Sequence, residues 1–354
     1  MKIKIHSSEI NRMMKIISQC IDQRFSNYSN IEICHEDNLL KIRGTNGTYQ
    51  ATVSTPLLGG DGEKFCVDGT MFARVCAMCN GEIEINADEK NCVIRGTGRT
   101  RLPVMDVTVT AQERVNGKTA AMSSDDFMKC YNSVAYAIAA DQTRIQLTGV
   151  LTMFDGNEVT MVTLDGFQMS METAGCDGDE IRMTVPGSFM KLVGQGLSVG
   201  EKVTFCTNGS RLEAFTDSMV LTCGLLTGDY PDYNRILPKD FKTECIVKVD
   251  ELRNALKCGS IINTKQNLVK LDIGADSISV MSNGEEASFD ADVACSTHGE
   301  GLKIAFNQKY LMNSINAINT EEAVMKFNNS VSPCVVTGKD EDGVHLLLPV
   351  RVQG

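Results

Sequence analysis

The chain has 354 residues, a formal net charge of −11, 42% hydrophobic residues and 22% charged residues. This length predicts two or three globular domains, and no apolar run reaches the roughly 18 residues that a membrane-spanning helix needs. The 14 cysteines are scattered singly, which indicates free thiols in a reducing cytoplasm rather than a secreted disulfide scaffold.

The N-terminal segment MKIKIHSSEI lacks the apolar region of a signal peptide and predicts an edge strand. Behind it begins the first of three stretches that share one pattern, an amphipathic helix followed by three strands and two turns. The first is SSEINRMMKIISQC with NIEICHEDNLLKIRGTNGTYQATV, the second is SSDDFMKCYNSVAYA with LTGVLTMFDGNEVTMVTLDGFQMSM, and the third is KVDELRNALKCGSII with LVKLDIGADSISVMSNGEEASFD. The pattern predicts an internal repeat.

The turns of these stretches recur in register. The tight pairs are Asn46-Gly47, Asp165-Gly166 and Asn283-Gly284, spaced by 119 and 118 residues. The preceding turns are at Asn38, Asn157 and Asp276, spaced by 119 residues each time. Asn-Gly and Asp-Gly pairs between strands are typical of type I′ hairpin turns, in which both central residues have positive φ. Two turn series in register are hard to attribute to chance.

A second helix recurs in each third, as DGTMFARVCAMC near 68–79, VPGSFMKLVGQG near 185–196 and NQKYLMNSINAI near 307–318. Paired strands follow each helix, which predicts an α+β fold with two helices packed on antiparallel sheets in each third. The polar stretches AQERVNGKTA and GDYPDYNRILPKDF mark the boundaries of three predicted domains, residues 1–120, 121–241 and 242–354. The expected caps of the first helices are Ser7 or Ser8, Ser123 or Ser124, and Asp250.

Most of the patterned positive charge lies on the six predicted helices. The residues are Arg12, Lys15, Arg74, Lys129, Lys191, Arg253, Lys257 and Lys309, with Arg24 just beyond the first helix. Ile10, Met14 and Ile17 recur at helical spacing and are expected to face the sheets, so the basic residues point away from them. A single Lys or Arg of this kind usually belongs to a solvated helix face. As a set, they predict a surface that neutralises phosphates without reading bases.

Over its whole length the sequence resembles the beta subunit of bacterial DNA polymerase III, the DNA sliding clamp family. The resemblance rests on the MKI start with a helix behind it, TLDGFQM at 163–169 after LTGVLTMF, GDYPDYNRILP at 228–238 and LLLPVR at 346–351. It implies three similar DNA-clamp domains per chain, with helices inside and sheets outside. It further implies that two chains close head to tail into a ring-shaped homodimer. Such a ring encircles double-stranded DNA of any sequence and makes the replicative polymerase processive.

The resemblance also implies the positions of three sites. Arg24 becomes the foremost DNA contact, and Arg144 joins the DNA-binding set. Ile261 and Ile262 are expected to seal the dimer interface, with an intradomain core as the equal alternative. A hydrophobic cleft between the second and third domains is expected to take short linear motifs of the polymerase, the clamp loader and repair proteins. Its wall comprises Leu147, Leu164, Gly166, Phe167, Met169, Pro238, Leu346, Leu348, Pro349, Val350 and Arg351.

Two departures from the family pattern bear on these sites. Phe167 and Gln168 stand where many members carry His-Arg after the glycine of the second-domain turn. This difference changes the peptide preference expected of the cleft. Ile145 and Gln146 replace aromatic residues after Arg144, which weakens any stacking of single-stranded DNA at that point.

No enzymatic motif accompanies these features. The sequence contains neither a G-x-x-x-x-G-K-[ST] phosphate loop nor a G-x-S-x-G nucleophile motif, and GTGRTR at 96–101 opens no helix. Cys76 and Cys79 lack histidines at ligand spacing, so neither a metal site nor a cofactor is expected. A cytoplasmic, non-enzymatic clamp is the leading hypothesis. The alternatives are an enzyme or small-molecule-binding protein built on duplicated helix–sheet domains, and an oligomeric scaffold without a DNA role.

Overall fold

The computed structural model of the chain describes residues 1–57, 64–109, 113–262 and 267–351. A strand, a helix and three further strands follow one another, and this order occurs six times along the described residues, with one additional two-residue strand. The α+β class and the internal repetition expected from the sequence are thereby confirmed. Within the same residues, no helix has the length and apolar character needed to cross a membrane.

The helices and strands of the three thirds have the following bounds. The first third contains β1 (Lys2–His6), α1 (Ser7–Ile17), β2 (Asn30–Glu36), β3 (Leu39–Thr45), β4 (Tyr49–Pro56), β5 (Lys64–Asp68), α2 (Gly69–Ala77), β6 (Glu82–Ala87), β7 (Asn91–Arg95) and β8 (Arg99–Pro103). The second contains β9 (Lys118–Ser123), α3 (Ser124–Val134), β10 (Gly149–Phe154), β11 (Glu158–Leu164), β12 (Gln168–Gly175), β13 (Asp177–Gly178), β14 (Ile181–Pro186), α4 (Gly187–Gly196), β15 (Lys202–Thr207), β16 (Arg211–Phe215) and β17 (Met219–Gly224). The third contains β18 (Thr243–Lys248), α5 (Val249–Ile262), β19 (Leu268–Ile273), β20 (Ser277–Asn283), β21 (Ser288–Gly299), β22 (Leu302–Asn307), α6 (Gln308–Ala317), β23 (Glu322–Phe327), β24 (Cys334–Gly338) and β25 (Val344–Leu347). Single 3-10 turns lie at Ser18–Cys20, Ala135–Ala137, Gln142–Thr148 and Tyr233–Arg235.

The chain forms two compact units. The first unit comprises residues 1–125, 176–181 and 188–225, and the second comprises residues 126–175, 182–187 and 226–354. In the first unit, one sheet has the order β1-β6-β7-β8 and a nine-stranded sheet has the order β13-β9-β15-β16-β17-β4-β3-β2-β5. In the second, a twelve-stranded sheet has the order β14-β10-β11-β12-β25-β24-β23-β18-β21-β20-β19-β22. The three-domain division stays a prediction.

Each large sheet joins strands from two successive thirds. In the first unit, β17 of the second third pairs antiparallel with β4 of the first, with Met219 opposite Val53. In the second unit, β12 of the second third pairs with β25 of the third, with Met169 opposite Leu346. Backbone hydrogen bonds therefore cross both boundaries between thirds, which the local sequence pattern does not reveal.

The first helix is amphipathic in the expected sense. Ile10, Met14 and Ile17 are buried, whereas Arg12 and Lys15 are exposed. Burying three large apolar side chains contributes several kcal/mol, at roughly 1.5–3 kcal/mol each. This burial fixes which face of α1 is turned to solvent.

The N-terminal caps of α1 and α5 differ from expectation. His6 is the N-cap of α1, and its Nδ1 accepts a hydrogen bond from the Ser8 amide at 3.3 Å. Ser7 is already helical and buried, so the expected Ser7 or Ser8 cap is wrong. Asp250 lies in the first turn of α5, which begins at Val249, and is not its cap. The physical reason is that β1 and β18 run directly into these helices without an intervening loop.

The turns also differ in type. Asp37 and Asn38, between β2 and β3, have φ of 55° and 59°, the geometry of a type I′ turn. At the Asp165-Gly166 pair, Gly166 has a positive φ of 98°, whereas Asp165 does not have a positive φ. The Asp165 carboxylate instead accepts a hydrogen bond from the Gln168 amide at 2.9 Å. The type I′ expectation is therefore wrong at this pair, because the side chain itself satisfies the turn amides.

All 14 cysteines are free, and 11 of them are buried. Burial raises the pKa of Cys20, Cys76 and Cys130 to about 12 in each case. Cys258, on α5, is exposed. The 11 buried cysteines act as small core side chains.

Candidate functional site

In the first unit, the predicted DNA-binding residues lie on helices that are connected by side-chain hydrogen bonds. Gln23, in the loop after α1, donates through Nε2 to Thr70 Oγ1 of α2 at 2.6 Å. Gln19, in the 3-10 turn Ser18–Cys20 that follows α1, donates to Gln195 Oε1 of α4 at 2.6 Å. The unit carries five predicted contacts, all exposed: Arg12, Lys15, Arg24, Arg74 and Lys191.

Arg24 is held by its own loop. Its Nε and Nη2 donate to the Asp22 carboxylate at 3.0 and 2.7 Å. The hydrogen bonds from Arg24 lower the pKa of Asp22 to about 2. Arg12 is paired in a similar way with Glu9, at 3.3 Å. The Arg12–Glu9 pair is exposed on both sides, and such pairs are weak. The two hydrogen bonds from Arg24 to the partly buried Asp22 fix that arginine more firmly. Sequence reasoning missed the ion-pair partners of both arginines.

In the second unit, one arginine of α5 has a structural role. Arg253 donates through Nη1 to Asp250 Oδ1 at 2.5 Å and through Nε to Asn316 Oδ1 of α6 at 3.1 Å. Lys257, one turn further along α5, and Lys309, in the first turn of α6, are exposed and form no ion pair with any residue that the structure describes. The two lysines therefore supply the available charge of this helix pair.

Lys129 and Arg144 also belong to the second unit. Lys129 Nζ lies 3.6 Å from Glu172 Oε1 of β12. Glu172 is buried, and desolvation raises its pKa against the opposing charge of Lys129. Arg144 is exposed in the 3-10 turn Gln142–Thr148, where its φ of −121° and ψ of 87° interrupt helical geometry.

The second unit brings part of the predicted cleft wall together. Leu147, Leu164, Met169 and Leu346 are buried in one apolar cluster. The strand pair β12–β25 places Met169 directly opposite Leu346. We refer to these four residues as the floor of the predicted cleft; they are buried together, and their place in a binding wall stays a prediction.

The remaining wall residues form a rim around this floor. Phe167, Leu348, Val350 and Arg351 are exposed, and Pro238 and Pro349 are half-buried. Phe167 stacks on Tyr310 of α6 with ring centroids 5.9 Å apart and planes inclined by 21°. The Leu348 amide donates to the Phe167 carbonyl at 2.9 Å, and the Val350 amide donates to the Ala305 carbonyl at 2.7 Å. Phe167, Leu348 and Val350 thus give the rim an exposed apolar part, and Gly166 has positive φ at the adjoining turn.

Sequence reasoning missed several members of the floor. Leu151, Val162, Tyr230 and Val335 belong to the same buried cluster. Tyr230 Oη donates to the Val162 carbonyl at 3.4 Å, and burial raises the pKa of its phenol. Tyr230 lies within GDYPDYNRILP, so that segment carried a signal, whereas Val335 reaches the cluster only through the pairing of β24 with β25.

A buried polar network includes His345, the chain neighbour of Leu346. His345 Nδ1 is 2.9 Å from Ser170 Oγ and 3.1 Å from Tyr136 Oη. Ser170 Oγ donates to the Ser133 carbonyl at 2.8 Å. Burial lowers the pKa of His345 to about 4 and raises that of Tyr136 to about 12. His345 is therefore neutral at physiological pH and adjoins Leu346 of the floor.

The expected dimer residues end α5. Ile261 is 75% exposed, and Ile262 is half-buried. In the first unit, α2 and β7 line an apolar cavity of about 370 Å³ with Met71, Val75 and Ile94. Ile261 and this cavity are thus two accessible apolar surfaces of the chain, and the dimer role of Ile261 and Ile262 stays a prediction. No group of His, Cys, Asp and Glu side chains suited to a metal ion occurs among the described residues.

Two family models match consecutive parts of the chain. The central-domain model of the DNA polymerase III beta subunit matches residues 121–232, and the C-terminal-domain model matches residues 234–351. Together they account for more than half of the chain.

Individual relatives agree with these models. The beta sliding clamp of Bacillus subtilis strain 168 is 30% identical over 226 residues, which span 61% of this chain and 60% of that protein. The beta sliding clamp of Lactococcus lactis is 22% identical over 377 aligned positions, which cover 99% of both chains. Among solved structures, the Pseudomonas aeruginosa DnaN sliding clamp bound to griselimycin superposes with a TM-score of 0.93 at 20% identity, covering 99% of this chain and 100% of that one.

The structural likeness shows the fold, and the family models match the sequence. Both lead to the same group of proteins, and the repeated strand–helix–three-strand order is present throughout. This chain belongs to the family of the bacterial DNA polymerase III beta subunit, the beta sliding clamps.

Proposed function

We propose that this chain is a DNA sliding clamp, a non-enzymatic processivity factor of the cytoplasm. Three domains, residues 1–120, 121–241 and 242–354, are repeated in two chains that close head to tail into a ring around duplex DNA. The observation that carries the proposal is the sixfold repetition of one strand–helix–three-strand unit, with basic side chains on the solvent faces of its helices.

Sequence-independent DNA binding follows from the kind of contact these helices offer. Lys15, Arg74 and Lys191 in the first unit, and Lys257 and Lys309 in the second, are exposed cations. Contacts between such cations and phosphates carry no sequence information. With a chain charge of −11, DNA is attracted only where the cations are concentrated, so the acidic loops keep the outer surface free of it.

Two further contacts complete the proposal. The side chain of Ile261 of one copy enters the apolar cavity lined by Met71, Val75 and Ile94 of the next, which closes the dimer. The floor and rim of the cleft region take short linear motifs of the polymerase, the clamp loader and repair proteins. A few anchor side chains carry the affinity of such motifs. Griselimycin, which is bound in the Pseudomonas aeruginosa structure, is a ready probe for this region.

Topology is the property that tests the clamp function most directly. The full-length chain is assembled on nicked circular DNA with a clamp loader and separated from free protein by gel filtration in high salt. A ring remains on the circle and is released when a restriction enzyme linearises it. Retention that depends only on salt, with no change on linearisation, would contradict the proposal, because ordinary electrostatic binding behaves in that way.

A further inference from the structure

An exposed aromatic ring adjoins the foremost predicted DNA contact. Phe25 follows Arg24 in the loop between α1 and β2, and its side chain is 57% exposed. The guanidinium carbon of Arg24 lies 5.9 Å from the ring centroid. Tyr28 packs edge-on against the same ring, with centroids 6.4 Å apart. A cation beside an accessible ring is the pair of groups that nucleic acids recognise by stacking and charge.

The loop that presents this ring is internally bonded. The Asp22 amide donates to the Tyr28 carbonyl at 2.8 Å, and the Tyr28 amide donates to the Phe25 carbonyl at 2.9 Å. Gln23 ties the loop to α2 through Thr70 at 2.6 Å. The exposure of Phe25 is therefore set by a closed loop, and the ring is positioned before any ligand arrives.

The second third contains a loop of the same design. Asp22-Gln23-Arg24-Phe25 corresponds to Asp141-Gln142-Thr143-Arg144-Ile145. In both loops the aspartate Oδ1 accepts the amide two residues later, from Arg24 at 3.0 Å and from Thr143 at 2.9 Å. Ile145 is 47% exposed. Both loops thus pair an arginine with an exposed apolar side chain, but only the first has a ring.

We propose that Phe25 is a stacking platform for an unpaired base of single-stranded DNA, with Arg24 contacting the adjoining phosphate. The inference rests on the proposed clamp function. In a duplex both faces of every base are covered by neighbouring bases, and inserting a ring between them costs a few kcal/mol per step. An unpaired base next to the end of a primer offers its face without that cost. Every base has such a face, so the contact is independent of sequence.

Charge selects nucleic acid over an apolar protein segment as the occupant. Among the described residues, the ion-pair partner of Arg24 is Asp22, and the side chain of Arg24 itself is 82% exposed. A phosphate beside the ring therefore has access to the guanidinium group. A phosphate adjoining the stacked base replaces Asp22 as the partner of Arg24. An apolar peptide bound to the ring of Phe25 would form no ion pair with Arg24. The arginine therefore adds nothing to the affinity for such a peptide.

Substitutions at Phe25 separate stacking from general apolar contact. The probes are a primed oligonucleotide with a single-stranded thymidine overhang and a blunt duplex of the same length, each measured by fluorescence anisotropy with the full chain. Phe25→Ile installs the side chain of the second loop and removes only the ring, and Phe25→Tyr keeps the ring. We expect Phe25→Ile and Phe25→Ala to weaken binding of the overhang probe by about 5- to 150-fold, and Phe25→Tyr to leave it unchanged. Binding of the blunt duplex stays within about twofold for all three.

The control is Val331→Ala, because Val331 is also 57% exposed and lies between β23 and β24 of the second unit. Its affinity for both probes is expected to equal that of the unchanged chain. Equal weakening on both probes, or wild-type overhang binding by Phe25→Ile, overturns the stacking role. Retention on circular DNA distinguishes the two proposals: Phe25→Ile is still retained if only stacking is lost. If the wild-type chain is not retained on circular DNA, the clamp function itself is disproved, independently of the affinity measured for the overhang probe.

Discussion

The ammonium group of Lys129 lies 3.6 Å from the buried carboxylate of Glu172. Desolvation outweighs this attraction, because the pKa of Glu172 remains above its usual value. The ionised carboxylate is therefore less stable in the folded chain than in the unfolded chain. The folded state bears this cost at every pH above about 4.3, where an unfolded glutamate ionises.

Glu172→Gln is expected to raise the free energy of unfolding at neutral pH, because it removes the charge and keeps the shape. The gain shrinks and vanishes as the pH falls below about 4, where Glu172 is protonated in both states. Urea unfolding at several pH values measures it. The control is Glu84→Gln, since hydrogen bonds from Asn86 and Lys2 lower the pKa of Glu84 and its neutralisation should not stabilise. A destabilised Glu172→Gln variant at neutral pH would show that the lysine contact dominates.

Acid sensitivity should depend on His345. Burial lowers its pKa to about 4 in the folded chain, whereas an unfolded histidine takes up a proton near pH 6.5. Stability is therefore lost as the pH falls from about 6.5 to about 4, by about 3 kcal/mol in total. His345→Gln is expected to lack this component in urea unfolding, and His298→Gln, at an exposed site, is expected to retain it. If the wild-type chain and both variants lose the same stability over this pH range, His345 is not the source of the acid sensitivity.

The floor and rim of the cleft should respond differently to truncation. Leu346 is buried in the apolar cluster, so Leu346→Ala is expected to cost about 2–5 kcal/mol of stability. Leu348 is exposed, so Leu348→Ala should cost about 0.5 kcal/mol or less. Its effect is instead expected on griselimycin, with a loss of affinity of about tenfold or more, measured by calorimetry. Unchanged griselimycin affinity of Leu348→Ala would remove this rim from the binding surface.

Two cations of α5 should differ in their contribution to DNA binding. Lys257 has no ion pair among the described residues, whereas Arg253 is bound to Asp250 and Asn316. Lys257→Ala is expected to lower the slope of log affinity against log salt by about 1 on a short linear duplex. Arg253→Ala should lower it less, because much of its charge is already balanced. A larger effect of Arg253→Ala would mean that Asp250 releases it on binding.

Closure of the dimer should depend on Ile261. Ile261→Asp places a charge where an apolar side chain is expected to enter the cavity beside Met71 and Ile94, and a buried unpaired charge costs several kcal/mol. Native mass spectrometry should then show the 38.6 kDa chain instead of twice that mass. Cys258→Ser, one turn earlier on the same helix, is the control and should stay dimeric. A stable Ile261→Asp dimer would place the interface elsewhere.

Local periodicity accounts for what the sequence predicted correctly. The apolar spacing of Ile10, Met14 and Ile17 fixed the buried face of α1, and the register of the turn pairs revealed the repeat. The caps at His6 and the turn at Asp165 were mispredicted, because a strand that enters a helix directly and a side chain that bonds its own turn are decided by short-range geometry. Residue type alone does not specify either one.

The contacts within the predicted cleft could not be predicted from local sequence patterns. Leu346 and Met169 were assigned to one wall only through the family resemblance, and their contact comes from the pairing of β12 with β25, whose strands lie far apart in the chain. Val335 joins them through β24 and had no local signal. The Arg253–Asp250 pair, by contrast, is spaced by three residues on one helix, so the loss of its free charge was foreseeable.

The cysteine distribution has a practical consequence. Most thiols of the chain are buried, and those with a strongly raised pKa supply almost no thiolate to an alkylating reagent. Cys258 stands exposed one turn before Ile261. A maleimide fluorophore could be attached to Cys258 in a brief reaction, without any engineered residue. The fluorophore would lie beside the expected dimer interface, and its emission would follow the opening and closing of the ring in real time.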